Sequence, residues 1–256
     1  MLALHSHFQV LRAVIIRDLM VRFGRNNLGF VWTVLEPMIL TTGVMLMWSM
    51  IKEPIIHGVP VVTFVLTGYM PLTLWRHLTN PMQKLLRSNF SLLYHQRVTH
   101  VHIMLARMAL EFLSTSTALI VVYFVVTTTG MVHPIEDYGL AMAAWLFTGW
   151  YFGATGLLIG SLTEVWEPAE RFIPALQYLA LPISGVFFMI DWVPSYAQKL
   201  LLLNPSVHCF EMFRAGFLGS GAVTHYDPVY LGVACTLVTI AGVASVYHIR
   251  DRIQFQ

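Results

Sequence analysis

The feature that most constrains this chain is a series of long apolar stretches that carry almost no charge. Six reach or approach the length of a membrane crossing: Phe30–Ile51, Val59–Trp75, Ile103–Thr129, Tyr138–Leu162, Phe172–Ile190 and Val229–Ile249. About 20 consecutive apolar residues carry a helix across the hydrocarbon of a bilayer. In lipid every backbone N–H and C=O must find its partner inside the protein, which leaves helices and closed barrels. Hydrophobicity runs on continuously here instead of alternating with period two, so helices are predicted. Only 11% of residues are charged and the mean hydropathy is +0.67, against about 25% charged residues in an ordinary soluble domain. The expected fold is all-α and polytopic, a single transmembrane domain over residues 1–256 with six spanning helices.

The placement of charge gives an orientation. With the N-terminus in the cytoplasm, Arg12, Arg17, Arg22, Arg25, Arg76, Lys84, Arg87, Arg97, Arg107, Arg171, Arg250 and Arg252 fall inside, and Lys52, Lys199 and Arg214 outside. An excess of Lys and Arg marks the cytoplasmic loops, so both termini are expected there. A cleavable signal peptide is not expected, because arginines interrupt the first 29 residues where an apolar core would be needed. Cys209 and Cys235 are read as buried packing thiols, not as a disulfide framework.

The segments between the spans are more specific. Residues 5–23 place Phe8, Leu11, Ile15 and Leu19 at helical spacing, with Arg12 and Arg22 flanking the stripe and able to reach lipid phosphates. An interfacial helix is expected, with a plain cytoplasmic helix packed on the protein as the alternative. Gly24 and Gly29 have the spacing of a phosphate-binding loop, but Phe30 and Val31 stand where Lys and Ser or Thr are required. This chain is therefore not expected to bind nucleotide, and neither a catalytic residue nor a metal site is expected in it. His95, His100 and His102 do not follow a zinc spacing. Glu36 and Pro37 put a carboxylate and a break in helix hydrogen bonding into the first span. Glu36 lies either at a functional position or in the headgroup zone beside an arginine. The 81–97 loop, with Leu85, Leu86, Leu92 and Leu93 among polar residues, predicts a short amphipathic helix at the cytoplasmic face and a docking surface. Arg107 and Glu111 are set for an i, i+4 ion pair. Gly149, Gly153, Gly156 and Gly160 share one helix face and predict close helix packing. Glu164, Glu167, Glu170 and Arg171 read as a solvated turn that could pair with a basic surface. Between Asp191 and Asp227, two apolar pieces, Tyr196–Leu203 and Val207–Leu218, are too short to span. They predict two short re-entrant outer helices, an arrangement tolerated only where protein buries it or a cavity is lined.

Arg22-Phe23-Gly24, Leu28-Gly29-Phe30-Val31-Trp32 and Leu35-Glu36-Pro37, with Asn204-Pro205 followed by Glu211 and Arg214, resemble the membrane subunit of type-2 ABC exporters. Within that family the chain is most similar to the capsular-polysaccharide permeases, the KpsM-like group. The signature from Leu28-Gly29 to Glu36-Pro37 and Ala106-Arg107 with Glu111 carry that narrower likeness. The resemblance implies a homodimer in the bacterial inner membrane bound to two copies of a soluble ATPase, with ATP and magnesium held by that partner. Asn89, Phe90, Leu92, Leu93 and Tyr94 would form the coupling helix that docks on the ATPase. Arg22, Glu36, Pro37, Arg107, Glu111 and Arg214 would be gating or structural residues. The cargo would be a lipid-linked acidic polysaccharide, handed on to a periplasmic adaptor and an outer-membrane channel. Nucleic acid is not an expected partner.

An anionic cargo needs cations where it is taken up, and Arg76, Lys84 and Arg87 are the candidates. Sugar rings slide over aromatic faces, so Tyr69, Trp75, Trp150, Tyr151, Tyr178, Phe187 and Phe188 are candidates for its path, with ordinary membrane packing the alternative for each. Two rival functions differ in class or cargo. One is export of O-antigen, teichoic acid, simple lipids or drugs. The other is a lipid-linked transferase, which the absence of a paired Asp motif beside the acidic turn disfavours.

Overall fold

The computed structural model describes residues 2–23, 28–93 and 98–253. Helix α1 (Leu2–Phe23) precedes α2 (Leu28–Ile51), which continues through Pro37. A two-residue hairpin, β1 (Ile55–Ile56) against β2 (Val59–Pro60), turns at His57 and Gly58 into α3 (Val61–Thr79). Two single-turn helices follow, α4 (Leu85–Ser88) and α5 (Phe90–Leu93), and then the long α6 (His100–Thr128) and α7 (Tyr138–Val165). The chain continues through α8 (Ala169–Ala180), α9 (Ser195–Leu201), α10 (Pro205–Leu218) and α11 (Pro228–Ile253). The fold is helical and polytopic as expected, the short hairpin being its departure from all-α.

Helix starts follow side-chain chemistry. Thr99 and His102 form a reciprocal capping box at α6, Asp137 accepts from the Leu140 N–H at α7, and Asn204 caps α10 ahead of Pro205. Each cap satisfies a backbone donor that a helix start leaves open.

Among the described residues four helices are long and apolar enough to cross a membrane, in α2, α6, α7 and α11. The other two expected spans are different. Helix α3, at 19 residues, is long enough to cross, but four threonines break its apolar run and Arg76 and His77 stand in its last turn. The stretch Phe172–Ile190 is not a continuous helix. Helix α8 stops after 12 residues, a 3-10 turn holds Leu181–Ile183, and Gly185 takes a left-handed conformation at φ +92°. Pro182 and Gly185 together account for the break: proline removes a backbone donor and glycine alone adopts that φ without strain.

Helix α7 is the centre of the bundle, packed on α3, α10 and α11. The four glycines expected to share one face do meet neighbouring helices, Gly149 the Phe112 ring and Gly153 the Met108 methyl of α6, Gly156 the Leu78 carbonyl oxygen of α3, and Gly160 the Met104 methyl of α6. Helix α10 is buried along its whole length, whereas α9 is largely exposed. Their boundaries lie close to the two short pieces expected from sequence. Helix α1 packs along α6, with Val14 and Asp18 buried and Met20 exposed.

The loop expected to form one helix is two turns separated at Asn89. Leu85 and Leu86 are not on its surface. They are buried with Met82, Ile103, Met104, Leu157 and Val246 in a second core below the main one.

Candidate functional site

At the end of the bundle that carries α4 and α5, two cavities flank the last turns of α3. The first, about 350 Å³, opens between α3 and α8 and is lined by Trp75, Arg76, Asn80, Gln83, Lys84, Gln177 and Tyr178 with apolar neighbours. The second, about 390 Å³, lies between α2, α3 and α6 and is lined by Glu36, Tyr69, Thr73, Arg76, His77 and Glu111, among others. Leu72, Arg76 and Asn80 border both, so the guanidinium of Arg76 stands on the ridge between them.

Arg76 is exposed, and its guanidinium carbon lies 5.5 Å from the centroid of the Tyr178 ring, within cation–π range. Among the described residues no carboxylate pairs with it. The neighbouring charges are already engaged. His77 Nδ1 donates to Glu111 Oε2 at 2.9 Å, and Arg107 Nη2 lies 3.0 Å from Glu111 Oε1. Glu111 is fully buried, and a buried carboxylate is tolerable only when paired in this way. A free cation beside an aromatic ring, in a cavity with three side-chain amides, can hold an anionic group and the sugar face attached to it.

The other expected cation positions differ. Lys84 lines the first cavity, and its Nζ also lies 3.0 Å from Glu170 Oε2. Arg87 lines neither cavity. It donates to the Thr163 carbonyl oxygen at 2.8 Å and to Glu170 Oε1 at 3.0 Å, and its Nε stands 3.7 Å from Glu164 Oε1. The acidic turn between α7 and α8 therefore finds its basic partner within the same chain.

The aromatic candidates also divide. Trp75 borders the first cavity and stacks on Phe152 at 5.0 Å, while Tyr178 presents an exposed ring there. Tyr69 borders the second cavity and meets Phe187 edge-on at 6.4 Å. Phe188 is half-buried and gives its carbonyl oxygen to Arg214. Trp150 and Tyr151 border neither cavity. Trp150 donates from its indole to Thr239 on α11, and Tyr151 packs against the core edge-on to Phe152.

Asn89 Oδ1 accepts from Arg17 Nη1 at 2.6 Å, which ties the loop to α1. Phe90 is exposed and Leu92 half-buried, while Tyr94 and the side chains of Leu93 and Arg22 lie outside the described residues. Glu36 is exposed at the second cavity and Pro37 is buried beside it. Sequence reasoning missed the amides Asn80, Gln83 and Gln177. Asn80 and Gln83 were signalled by their spacing after Arg76, four and seven residues on, but Gln177 reaches the cavity only because α8 folds back.

At the far end of the molecule Arg214 and Glu211 sit fully buried. Arg214 donates to the carbonyl oxygens of Gly185, Phe188 and Val186, each at 2.7 Å. Glu211 accepts from the N–H groups of Ile190 at 3.2 Å and His225 at 2.9 Å. The two residues thus supply the partners that the unwound 184–190 segment lacks.

Residues 9–218 match the family model of the ABC-2 type transporters. The chain belongs to the ABC-2 type transporter family. Among ABC-2 proteins it is 35% identical over 232 residues to the capsule polysaccharide export inner-membrane protein CtrC of Neisseria meningitidis serogroup B, which covers 91% of this chain and 87% of CtrC. It is 30% identical over 248 residues to BexB of Haemophilus influenzae, named as a capsule polysaccharide export inner-membrane protein, covering 97% and 94% of the two chains. The Escherichia coli polysialic acid transport protein KpsM is 23% identical over 243 residues, 93% of this chain and 92% of KpsM. Polytopic membrane helices built round a glycine-faced α7 are thus the frame of an ABC-2 membrane subunit in this chain.

Proposed function

We propose that this chain is the permease subunit of an ATP-driven exporter that moves lipid-linked capsular polysaccharide outward across the bacterial inner membrane. The observation that carries this reading is the cavity at the end of α3, where Arg76 stands over Tyr178 beside Asn80, Gln83, Gln177 and Lys84, with no carboxylate paired to it among the described residues. The likeness to CtrC and BexB along nearly the whole chain supports capsular polysaccharide over the other cargoes. Two copies of the chain bind two copies of a soluble ATPase, both termini are cytoplasmic, and the ATPase docks on the 81–97 loop around Asn89 and Phe90. A periplasmic adaptor and an outer-membrane channel receive the glycan. The re-entrant α9 and α10 lie at the outer face. Arg76, with Lys84, takes the anionic head of the lipid-linked glycan, while Tyr178, Trp75 and Tyr69 give its sugars apolar faces to slide on.

A hydrogen bond to a charged group is worth about 1.5–3 kcal/mol, so Arg76→Gln is expected to lower glycan flux roughly 10-fold or more at sub-saturating substrate. Flux is measured in vesicles carrying the permease with its ATPase, and assembly of the complex by size-exclusion chromatography is expected to be unchanged. Wild-type flux in the variant would remove Arg76, and with it this cavity, from the transport path.

A further inference from the structure

Lys84 belongs to two groups of residues at once. Lys84 lines the α3–α8 cavity, and its ammonium lies 3.0 Å from Glu170. Glu170 is divided between two cations: Oε2 faces Lys84 and Oε1 accepts from Arg87 at 3.0 Å. Arg87 continues to the Thr163 carbonyl oxygen and the Glu164 carboxylate. These bonds strap α4 to the turn between α7 and α8. One residue beyond α4, Asn89 is bound by Arg17 of α1. The loop is therefore fastened on one side to the turn that leads into α8, which walls the cavity, and on the other to the N-terminal helix.

The two cations of the strap are not equivalent. Arg87 is held by the carbonyl oxygens of Thr163 and Glu164 and by the carboxylates of Glu164 and Glu170 and does not line the cavity, whereas the Lys84 side chain is 67% exposed with Glu170 as its partner at 11%. Lys84 also has φ +64° at the cap position just before α4. The left-handed region is unfavourable for lysine and suits glycine or asparagine. A strained backbone conformation held by a charged residue at a cavity edge is where function is stored.

We propose that Lys84 is the substrate sensor of this permease. Its ammonium is shared between Glu170 and the anionic group that occupies the cavity, so that loading of the cavity loosens the strap between the cytoplasmic loop and the α7–α8 turn. An anion drawn to Arg76 competes with Glu170 for Lys84 and repels the Glu170 carboxylate. Arg87 keeps its bond to the Thr163 carbonyl oxygen, so the loop is freed to shift without being released. A filled cavity thereby becomes a change at the surface that meets the ATPase. The inference rests on the cavity reading given above and adds to it the residue that reports occupancy.

The test uses the reconstituted permease–ATPase complex, with ATP turnover measured alone and with two probes: a lipid-linked oligosialic acid and the same lipid bearing neutral sugars. In the wild type only the anionic probe stimulates. Glu170→Gln, which weakens the pairs with both Lys84 and Arg87, is expected to raise basal turnover roughly 2- to 5-fold, on the scale of a surface ion pair, and to shrink the further stimulation by the anionic probe. Lys84→Asn, which suits the left-handed backbone, is expected to lose that stimulation while the complex stays assembled. Wild-type basal and stimulated turnover in Glu170→Gln, or full stimulation by the anionic probe in Lys84→Asn, would overturn the sensor. Binding of the anionic probe to Arg76→Gln separates the two readings. If that binding is lost while Glu170→Gln behaves as wild type, only the sensor fails; if it is undiminished, the cavity reading fails first.

Discussion

Arg214→Met is expected to destabilise the protein by about 3–5 kcal/mol, the cost of leaving a buried charge without its partner. The residue sits at the point where the chain after α8 abandons helical geometry. Between Gly185 and Phe188 the backbone makes no helix, and three of its carbonyl oxygens take their hydrogen bonds from one guanidinium. That guanidinium lies over the Phe64 ring at 4.5 Å and stands 3.7 Å from Glu211. Removing it strands three acceptors and a carboxylate in one place. Lysine cannot replace it, because one ammonium does not reproduce the planar fork. The check is thermal unfolding of the purified protein in detergent. Arg214→Met is expected to lose folded, monodisperse material, and Arg214→Lys to fall between it and the wild type. Adding Glu211→Gln to Arg214→Met is expected to recover part of the loss, because the stranded carboxylate is then neutral. A wild-type melting temperature in Arg214→Met would mean that the unwound segment stands without it.

The same segment marks how far sequence carries. The short helices before the last span were legible because their punctuation is local: Asn204 caps, Pro205 begins α10 and Gly219 follows it. The glycine spacing on α7, in steps of four, three and four, was legible for the same reason, and its face is the packing face. The break after α8 was not. Pro182 and Gly185 lie inside a run whose average hydropathy is that of a span, and the residue that makes the break tolerable is 26 to 29 positions further on. The function of the basic residues was hidden in the same way. Arg76, Lys84 and Arg87 look equivalent along the chain, all three lying near the end of one apolar stretch. What separates them is the acidic turn beside α8: Glu170, 83 residues from Arg87, holds Arg87 together with Thr163 and Glu164, shares Lys84 and leaves Arg76 to the cavity. Trp150 and Tyr151 show the converse. They are as aromatic as Tyr178, but the helix rotation set by the glycine face turns them toward α11 and the core.

That glycine face also makes a sharp expectation, because its members meet different kinds of neighbour. A Cβ at Gly156 would collide with the backbone carbonyl oxygen of Leu78, with the Met82 side chain 3.2 Å away. Backbone cannot swing aside, so α7 and α3 would have to separate. Overpacking of that kind costs typically about 1–3 kcal/mol. At Gly153 the new atom would come within 2.6 Å of the Met108 terminal methyl, the far end of a flexible side chain that can rotate away. Gly156→Ala is therefore expected to lower the melting temperature distinctly and Gly153→Ala to leave it nearly unchanged, although the two residues lie one turn apart on the same helix. Leu78 is two residues past Arg76, so whatever moves the Leu78 carbonyl also moves the guanidinium at the cavity. Glycan flux in Gly156→Ala is expected to fall along with stability, and in Gly153→Ala to hold. Equal melting temperatures for the two variants would show that α7 and α3 can part at no cost, and a rigid seam would then not be what sets the position of Arg76.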